Sequence, residues 1–149
     1  MRDRSQSRRL LALAEIRELQ RLRAESSAQA ASTALAARKD ALSKAEEMKM
    51  DALRSWTDAA TASDFLPEIA ALWSRELLSR EETVRNAASE SDRARQELER
   101  RTVALNTATL HRDDVAERAR RARKEETRKE DDAGSQDVLD LHLARRRNG

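Results

Sequence analysis

One short stretch near the middle of this 149-residue chain decides its fold: Thr-Ala-Ser-Asp-Phe-Leu-Pro at residues 61–67. The chain contains two glycines, Gly134 and Gly149, and a single proline, so Pro67 is the only strong backbone breaker before residue 134. A compact fold of many short elements needs turn residues far more often than this. The sequence therefore predicts very long helices with one reversal beside Pro67.

The residues around this reversal also indicate where each helix begins and ends. Ser63 and Asp64 are favoured in turns and caps, proline is favoured in a first helical turn, and Glu68 suits the positive end of a helix dipole. The predicted fold is all-α, with two long antiparallel helices forming a coiled-coil hairpin and a short amphipathic C-terminal tail. Its predicted bounds within 1–149 are about 4–62 for helix 1, 63–66 for the turn, 67–132 for helix 2 and 133–149 for the tail.

Apolar residues recur at heptad spacing in both predicted helices. In helix 1, Leu35, Leu42 and Trp56 share a row, and a second row three residues on is mostly alanine; near the start, Leu10, Leu13, Ile16, Leu19 and Leu22 recur at spacings of three. Helix 2 has two rows, which are Ala70, Leu77, Val84, Ser91, Leu98, Leu105, Arg112, Ala119 and Trp73, Arg80, Ala87, Ala94, Arg101, Ala108, Val115, Ala122. Twelve of these sixteen residues are apolar, against 38% for the chain, so we expect these rows to face helix 1.

Composition supports a helical rod rather than a globular domain. Charged residues make up 39% of the chain, aromatic residues 2%, and the net charge is +2. This mixture is typical of long helices, and the low net charge argues against the competing interpretation of disorder. The chain has no cysteine, no signal peptide pattern and no apolar run approaching the roughly 20 residues that span a bilayer. We therefore expect a cytoplasmic protein without direct membrane insertion.

The sequence offers little for catalysis. His111 and His142 are the only histidines, and neither has a second metal ligand at helical spacing. There is no glycine-rich phosphate loop, and the many carboxylates fall on solvated helix faces where no pocket forms. We expect a protein that is not an enzyme and that binds no metal and no cofactor.

Two arginine-rich stretches, 118–124 and 145–147, raise the possibility of nucleic-acid binding. Acidic residues interleave with these bases, however, and residues 111–149 carry eleven basic against ten acidic side chains. Phosphate binding needs a net positive face. A solvated charged helix explains the pattern better, so no nucleic-acid partner is predicted.

Charge and apolar bulk are unevenly distributed along the predicted hairpin. Residues 1–23 hold seven basic and three acidic side chains, whereas 24–110 hold twelve and fifteen, so the end with the termini is basic and the turn end mildly acidic. Exposed apolar bulk is concentrated just after the turn, in Phe65, Leu66, Ile69, Leu72, Trp73, Leu77 and Leu78. This cluster either locks the turn or docks a partner.

The layout resembles the FliJ/YscO family, the stalk proteins of flagellar and injectisome type III export systems. The resemblance rests on the turn at 62–65 with its apolar continuation, and on the ending, in which Lys129-Glu130-Asp131-Asp132 is followed by Val138-Leu139-Asp140-Leu141-His142-Leu143-Ala144-Arg145. It implies a stalk that inserts its terminal tip into the hexameric export ATPase and contacts the cytoplasmic domain of the export gate or export chaperones. The tip residues would be Arg8, Arg9, Arg118 and Arg121, and the gate contacts Leu72, Trp73, Leu77 and Leu78.

Two other classes of protein remain open on the sequence. One is a structural coiled-coil scaffold unrelated to secretion, for example a homodimer, and the other is a helical protein associated with nucleic acid. A choice between the flagellar and the injectisome system is not made by these residues.

Overall fold

The computed structural model describes residues 2–147, with side chains from residue 5 onward, and consists of two long helices. Helix α1 spans Arg2–Thr61 and helix α2 spans Pro67–Arg147. Within residues 2–147 there is no strand, and the two helices pack against each other, which confirms the predicted all-α hairpin. Neither helix holds, in its described part, a stretch apolar enough to cross a membrane.

The reversal lies where the sequence predicts it. Residues 62–66 are not helical, and Pro67 is the first residue of α2. The carbonyl oxygen of Leu66 accepts hydrogen bonds from the backbone N–H groups of Ile69 and Ala70, both at 3.1 Å. Proline fits at this point because its missing N–H falls among the donors that a helix start leaves unpaired. The connection is thus five residues long and its helical end is well defined.

The end of α2 differs from the prediction. The helix does not stop at Asp132 but continues through Gly134 to Arg147, so residues 133–147 are helical; residues 148 and 149 of the predicted tail lie outside the described residues. A single helical glycine costs only about 1 kcal/mol relative to alanine, and Gly134 has an ordinary negative-side φ with open space around it. The leucines and arginines that follow are good helix formers, and Arg145, Arg146 and Arg147 suit the negative end of the dipole.

Contacts divide the chain into two units, each built from part of both helices. The terminal unit comprises Met1–Ala24 and Leu105–Gly149, and the turn unit comprises Glu25–Ala104. The sequence predicts a single hairpin throughout and gives no sign of this division. Each unit is described separately below.

In the turn unit the helices meet along small side chains. The buried residues are Ala28, Leu35, Ala45 and Ala52 on α1 and Ser91 on α2, while Val84 and Leu98 are half-buried. All of them belong to the heptad rows that the sequence predicts to face the partner helix. Alanine allows the backbones to approach closely, but each buried methyl group contributes only about 0.8 kcal/mol. The interior is therefore narrow.

In the terminal unit the buried residues are Ser7 on α1 and Val115 and Ala119 on α2. Gln6 lines one small crevice together with Ala122 and Glu126, so the start of α1 lies beside this part of α2. From Thr127 to Arg147 every side chain of α2 is exposed. Packing between the two helices therefore ends near Glu126.

Candidate functional site

Two contacts between the helices define the two sides of the turn unit. On one side, Arg80 Nη1 lies 3.8 Å from the Met48 sulfur; on the other, Lys49 Nζ lies 3.9 Å from Glu81 Oε1. A further ion pair joins Arg38 to Glu90. From Met48 back to Arg38 along α1, the partner moves forward from Arg80 to Glu90 along α2, so the helices run antiparallel here. These contacts serve as reference points for the residues that the sequence predicts to bind partners.

The four predicted gate-contact residues do not form one surface. Trp73 and Leu77 are half-buried in the row that faces α1, whereas Leu72 and Leu78 are 63% and 64% exposed. Leu72 precedes Arg80 by two steps of four residues and lies on the Met48 side, and Leu78 precedes Glu81 by three residues and lies on the Lys49 side. The structure therefore separates this set into two interior residues and two surface residues on opposite sides.

The four predicted tip arginines are all exposed side chains of the terminal unit. Arg118 lies 3.1 Å from Asp114 and Arg121 lies 3.1 Å from Glu117, each pair one helical turn apart on α2. Arg8 and Arg9 are on the early turns of α1. Exposed pairs of this kind are worth only a few tenths of a kcal/mol, about 0.2–0.5, so Arg118 and Arg121 can exchange their partners for an acidic surface at small cost.

A carboxylate bound by two arginines joins the helices of the terminal unit. Glu18 on α1 accepts hydrogen bonds from Arg21 Nη2 at 2.8 Å and from Arg112 Nη1 of α2 at 3.1 Å. The bond from Arg21 holds the pKa of Glu18 below its ordinary value of 4.5; partial removal from water opposes this effect, and Arg112 adds to it. The same Arg112 also binds Asp113 at 2.8 Å. This network links the two helices in a region with few buried apolar side chains.

The feature that sequence reasoning missed is the distribution of apolar side chains around α1 in the terminal unit. Ser7, Leu10 and Ala14 mark the face of α1 that α2 covers, and they are buried or half-buried. The exposed apolar side chains occupy the flanks and the back, and they are Leu11, Leu13, Ile16, Leu19 and Leu22. At about 100° per residue, Ile16 and Leu19 point away from the covered face. The spacing of three residues is the signal, because it carries successive leucines around the helix rather than along one side.

The described residues contain no cluster of histidine, cysteine and acidic side chains that could hold a metal ion. His111 and His142 are both exposed. What the described surface offers is apolar side chains and paired charges along helix faces, which suit binding to other macromolecules.

No family model, no curated protein and no solved structure matches this chain. The class that the fold itself defines is a two-helix hairpin with a narrow, alanine-rich interior and large apolar side chains left at its surface.

Proposed function

We propose that this chain is a non-catalytic central-stalk component of a type III protein export apparatus, flagellar or injectisome, and that its terminal unit inserts into the hexameric export ATPase. The observation that carries the proposal is the ring of apolar side chains around residues 10–22 of α1. The resemblance of the turn and of the chain ending to the FliJ/YscO stalk family is a second support for the proposal.

Residues 10–22 of α1 carry apolar side chains on several sides, with charged and polar residues between them, and exposed apolar surface of this kind is often covered by other protein. In the terminal unit, α2 covers only one side of α1, and Ile16 and Leu19 remain 51% and 61% exposed. A second packing partner along one edge would cover part of this surface, whereas the channel of a ring surrounds a helix pair completely. The exposed apolar side chains of residues 10–22, which we call the apolar girdle, therefore favour insertion of the terminal unit into a ring over attachment to a partner along one face.

Charge adds a second argument for insertion. The terminal unit carries 18 basic and 13 acidic residues, a net charge of +5, and the turn unit carries 12 basic and 15 acidic residues, a net charge of −3. A positive unit is attracted to an acidic channel and enters it in a preferred orientation. Arg8 and Arg9, together with the exchangeable Arg118 and Arg121, would face the walls of such a channel.

The turn unit would remain outside the ring and contact the cytoplasmic domain of the export gate and the export chaperones. Leu72 and Leu78 are the exposed members of the set that the family resemblance implies for this contact. The stalk would then be cytoplasmic and held at the inner membrane through the export apparatus.

The second candidate is a structural coiled-coil scaffold that associates with itself. Val103 and Leu110 of α2, which are also strongly exposed, favour it, because apolar residues on both helices could complete a larger helical bundle. Sedimentation velocity separates the two candidates: a stalk sediments alone as a monomer, whereas a scaffold forms oligomers whose population grows with protein concentration.

The deciding experiment is co-purification of the chain with the hexameric export ATPase encoded in the same genome. We expect a complex with one chain per hexamer, and we expect Ile16→Asp combined with Leu19→Asp to abolish it. Both positions are exposed, so helicity measured by circular dichroism should stay unchanged. Leu72→Ser combined with Leu78→Ser is the matched control, with two exposed leucines removed from the turn unit and the complex retained. A complex unaffected by the first variant, or no complex at all, would refute the proposal.

A further inference from the structure

The turn unit contains one stretch whose charge pattern departs from the rest of the chain. Lysine and arginine account for 30 of the 149 residues, yet residues 55–74 contain neither, nor any histidine. The charged side chains in this stretch are Asp58, Asp64 and Glu68, and all three are exposed. None of the three forms an ion pair with another side chain of residues 5–147. The turn end of the protein is thus uniformly negative.

Large apolar side chains are exposed in the same stretch. Phe65 and Leu66 of the connection, with Ile69 and Leu72 of the first turns of α2, are between 45% and 63% exposed, and together we call them the tip patch. Ile69 and Leu72, three residues apart in α2, lie on one side of the helix start, and Phe65 and Leu66 immediately precede it in the connection. The hydrogen bonds from Ile69 and Ala70 to the Leu66 carbonyl hold this backbone in place, so the patch is presented by a rigid element.

The carboxylates lie around the tip patch. Asp64 and Glu68 are its immediate neighbours in the chain. Asp58 lies on the last turn of α1, which ends at Thr61. Asp64 and Glu68 therefore border the patch with negative charge, and Arg75, three residues after Leu72, is the first basic residue that follows it in the sequence.

We propose that the tip patch binds a basic amphipathic helix of a partner protein. The apolar face of such a helix would cover Phe65, Ile69 and Leu72, and its lysine or arginine side chains would meet the surrounding carboxylates. Helices of this kind dock through apolar anchors at spacings of three and four residues. Charge complementarity selects the partner, since an acidic helix, a nucleic acid or an anionic membrane would be repelled.

This inference does not depend on the proposed stalk function. The tip patch shares Leu72 with the gate contact proposed above, but its binding does not require the contact of residues 10–22 with the export ATPase. A chain that fails to bind the export ATPase can still bind a basic helix, and the reverse also holds, so the two experiments fail separately.

The test uses the full chain and a fluorescein-labelled model peptide of leucine and lysine that forms an amphipathic helix, with fluorescence anisotropy as the readout. We expect saturable 1:1 binding. Ile69→Ser combined with Leu72→Ser should raise the Kd at least about tenfold, because apolar anchors dominate such contacts. Asp58→Asn, Asp64→Asn and Glu68→Gln together should also raise the Kd about tenfold and should weaken its salt dependence.

Matched controls separate the tip patch from general effects. Glu46→Gln, Glu82→Gln and Glu99→Gln remove the same number of exposed carboxylates elsewhere, and Val103→Ser with Leu110→Ser removes two exposed apolar side chains elsewhere. Both variants should bind the peptide like the unmodified chain.

Four results would overturn the proposal. The first is that the leucine–lysine peptide does not bind, and the second is that a leucine–glutamate peptide or oligolysine binds equally well. The third is that the two tip variants bind the peptide as the unmodified chain does. The fourth is that the chain associates with itself and that the Ile69→Ser, Leu72→Ser variant abolishes this association. The last result would assign the patch to a second copy of this chain instead.

Discussion

The carboxylate of Glu18 and the guanidinium of Arg112 lie 3.1 Å apart and connect α1 to α2 in the terminal unit. Arg21 holds the same carboxylate from the other side at 2.8 Å. The Glu18–Arg112 pair is a contact between the two helices in a region where few apolar side chains are buried. Its contribution should depend on pH.

We predict that the stabilising effect of Glu18 is lost in acid. Because its pKa is lower in the folded protein than the ordinary 4.5, Glu18 contributes stability above about pH 4.5, and this contribution disappears as the pH falls through the folded value. Glu18→Gln should therefore lower the Tm slightly near neutral pH and make no difference in acid. Thermal melts of both proteins from about pH 3 to pH 7 test this. A Tm difference that persists at the lowest pH would contradict it.

The alanine interior of the turn unit should reject larger side chains. Ala52 is 4% exposed, so Ala52→Leu must push the helices apart or distort side chains, at a cost of about 1–3 kcal/mol. Ala37→Leu on the exposed side of α1 is the control and should be nearly neutral. Urea unfolding followed by circular dichroism gives both values. If the two variants are equally stable, the interior is not closely packed at Ala52.

Trp73 and Leu77 should behave as structural residues and Leu72 and Leu78 as surface residues. Truncation of half-buried side chains removes part of the interior, so we expect Trp73→Ala and Leu77→Ala each to lose on the order of 1–3 kcal/mol of unfolding free energy. Leu72→Ser and Leu78→Ser should stay within about 0.5 kcal/mol of the unmodified chain. Urea titration compares the four variants. The opposite order would mean that Trp73 and Leu77 are free to bind a partner.

Gly134 should be the weakest point of the last turns of α2. Nothing lies within 4 Å of the position that a Cβ atom would take, so Gly134→Ala should stabilise the helix locally by about 1 kcal/mol. Hydrogen exchange of the amides in 130–147 should slow by about fivefold as a result, while amides of the turn unit stay unchanged. Unchanged exchange in 130–147 would show that the helix there is not limited by this glycine.

Much of the fold follows from the sequence because its signals are local or periodic. Pro67 and the scarcity of glycine predict the single reversal, and the heptad rows predict the buried positions Leu35, Ala52, Val115 and Ala119. The helical extension past Gly134 was not predicted, because whether a single glycine ends a helix depends on the helix propensity of the residues that follow it. The division into two units was not predicted either, since it depends on contacts between distant positions.

The candidate surfaces were only partly predictable. The sequence identifies the apolar bulk after the turn, but a list of residues does not show which of them face the other helix. Leu72 and Leu78 are six residues apart and point about 120° from each other at about 100° per residue, and the interior lies between Trp73 and Leu77. The apolar girdle at 10–22 was visible as a repeat of three, although its meaning depends on knowing that α2 covers one side only.

The narrow interior of the turn unit has a mechanical consequence. Alanine ridges interlock poorly, so part of the resistance to one helix sliding along the other comes from the bridges Arg38–Glu90 and Lys49–Glu81. Dissolved ions screen such bridges and leave the methyl groups untouched. We therefore expect the shear strength of the turn unit, read as the rupture force when α1 and α2 are pulled in opposite directions along their axes, to fall as ionic strength rises. A rupture force that does not change with salt would assign that strength to the methyl groups alone.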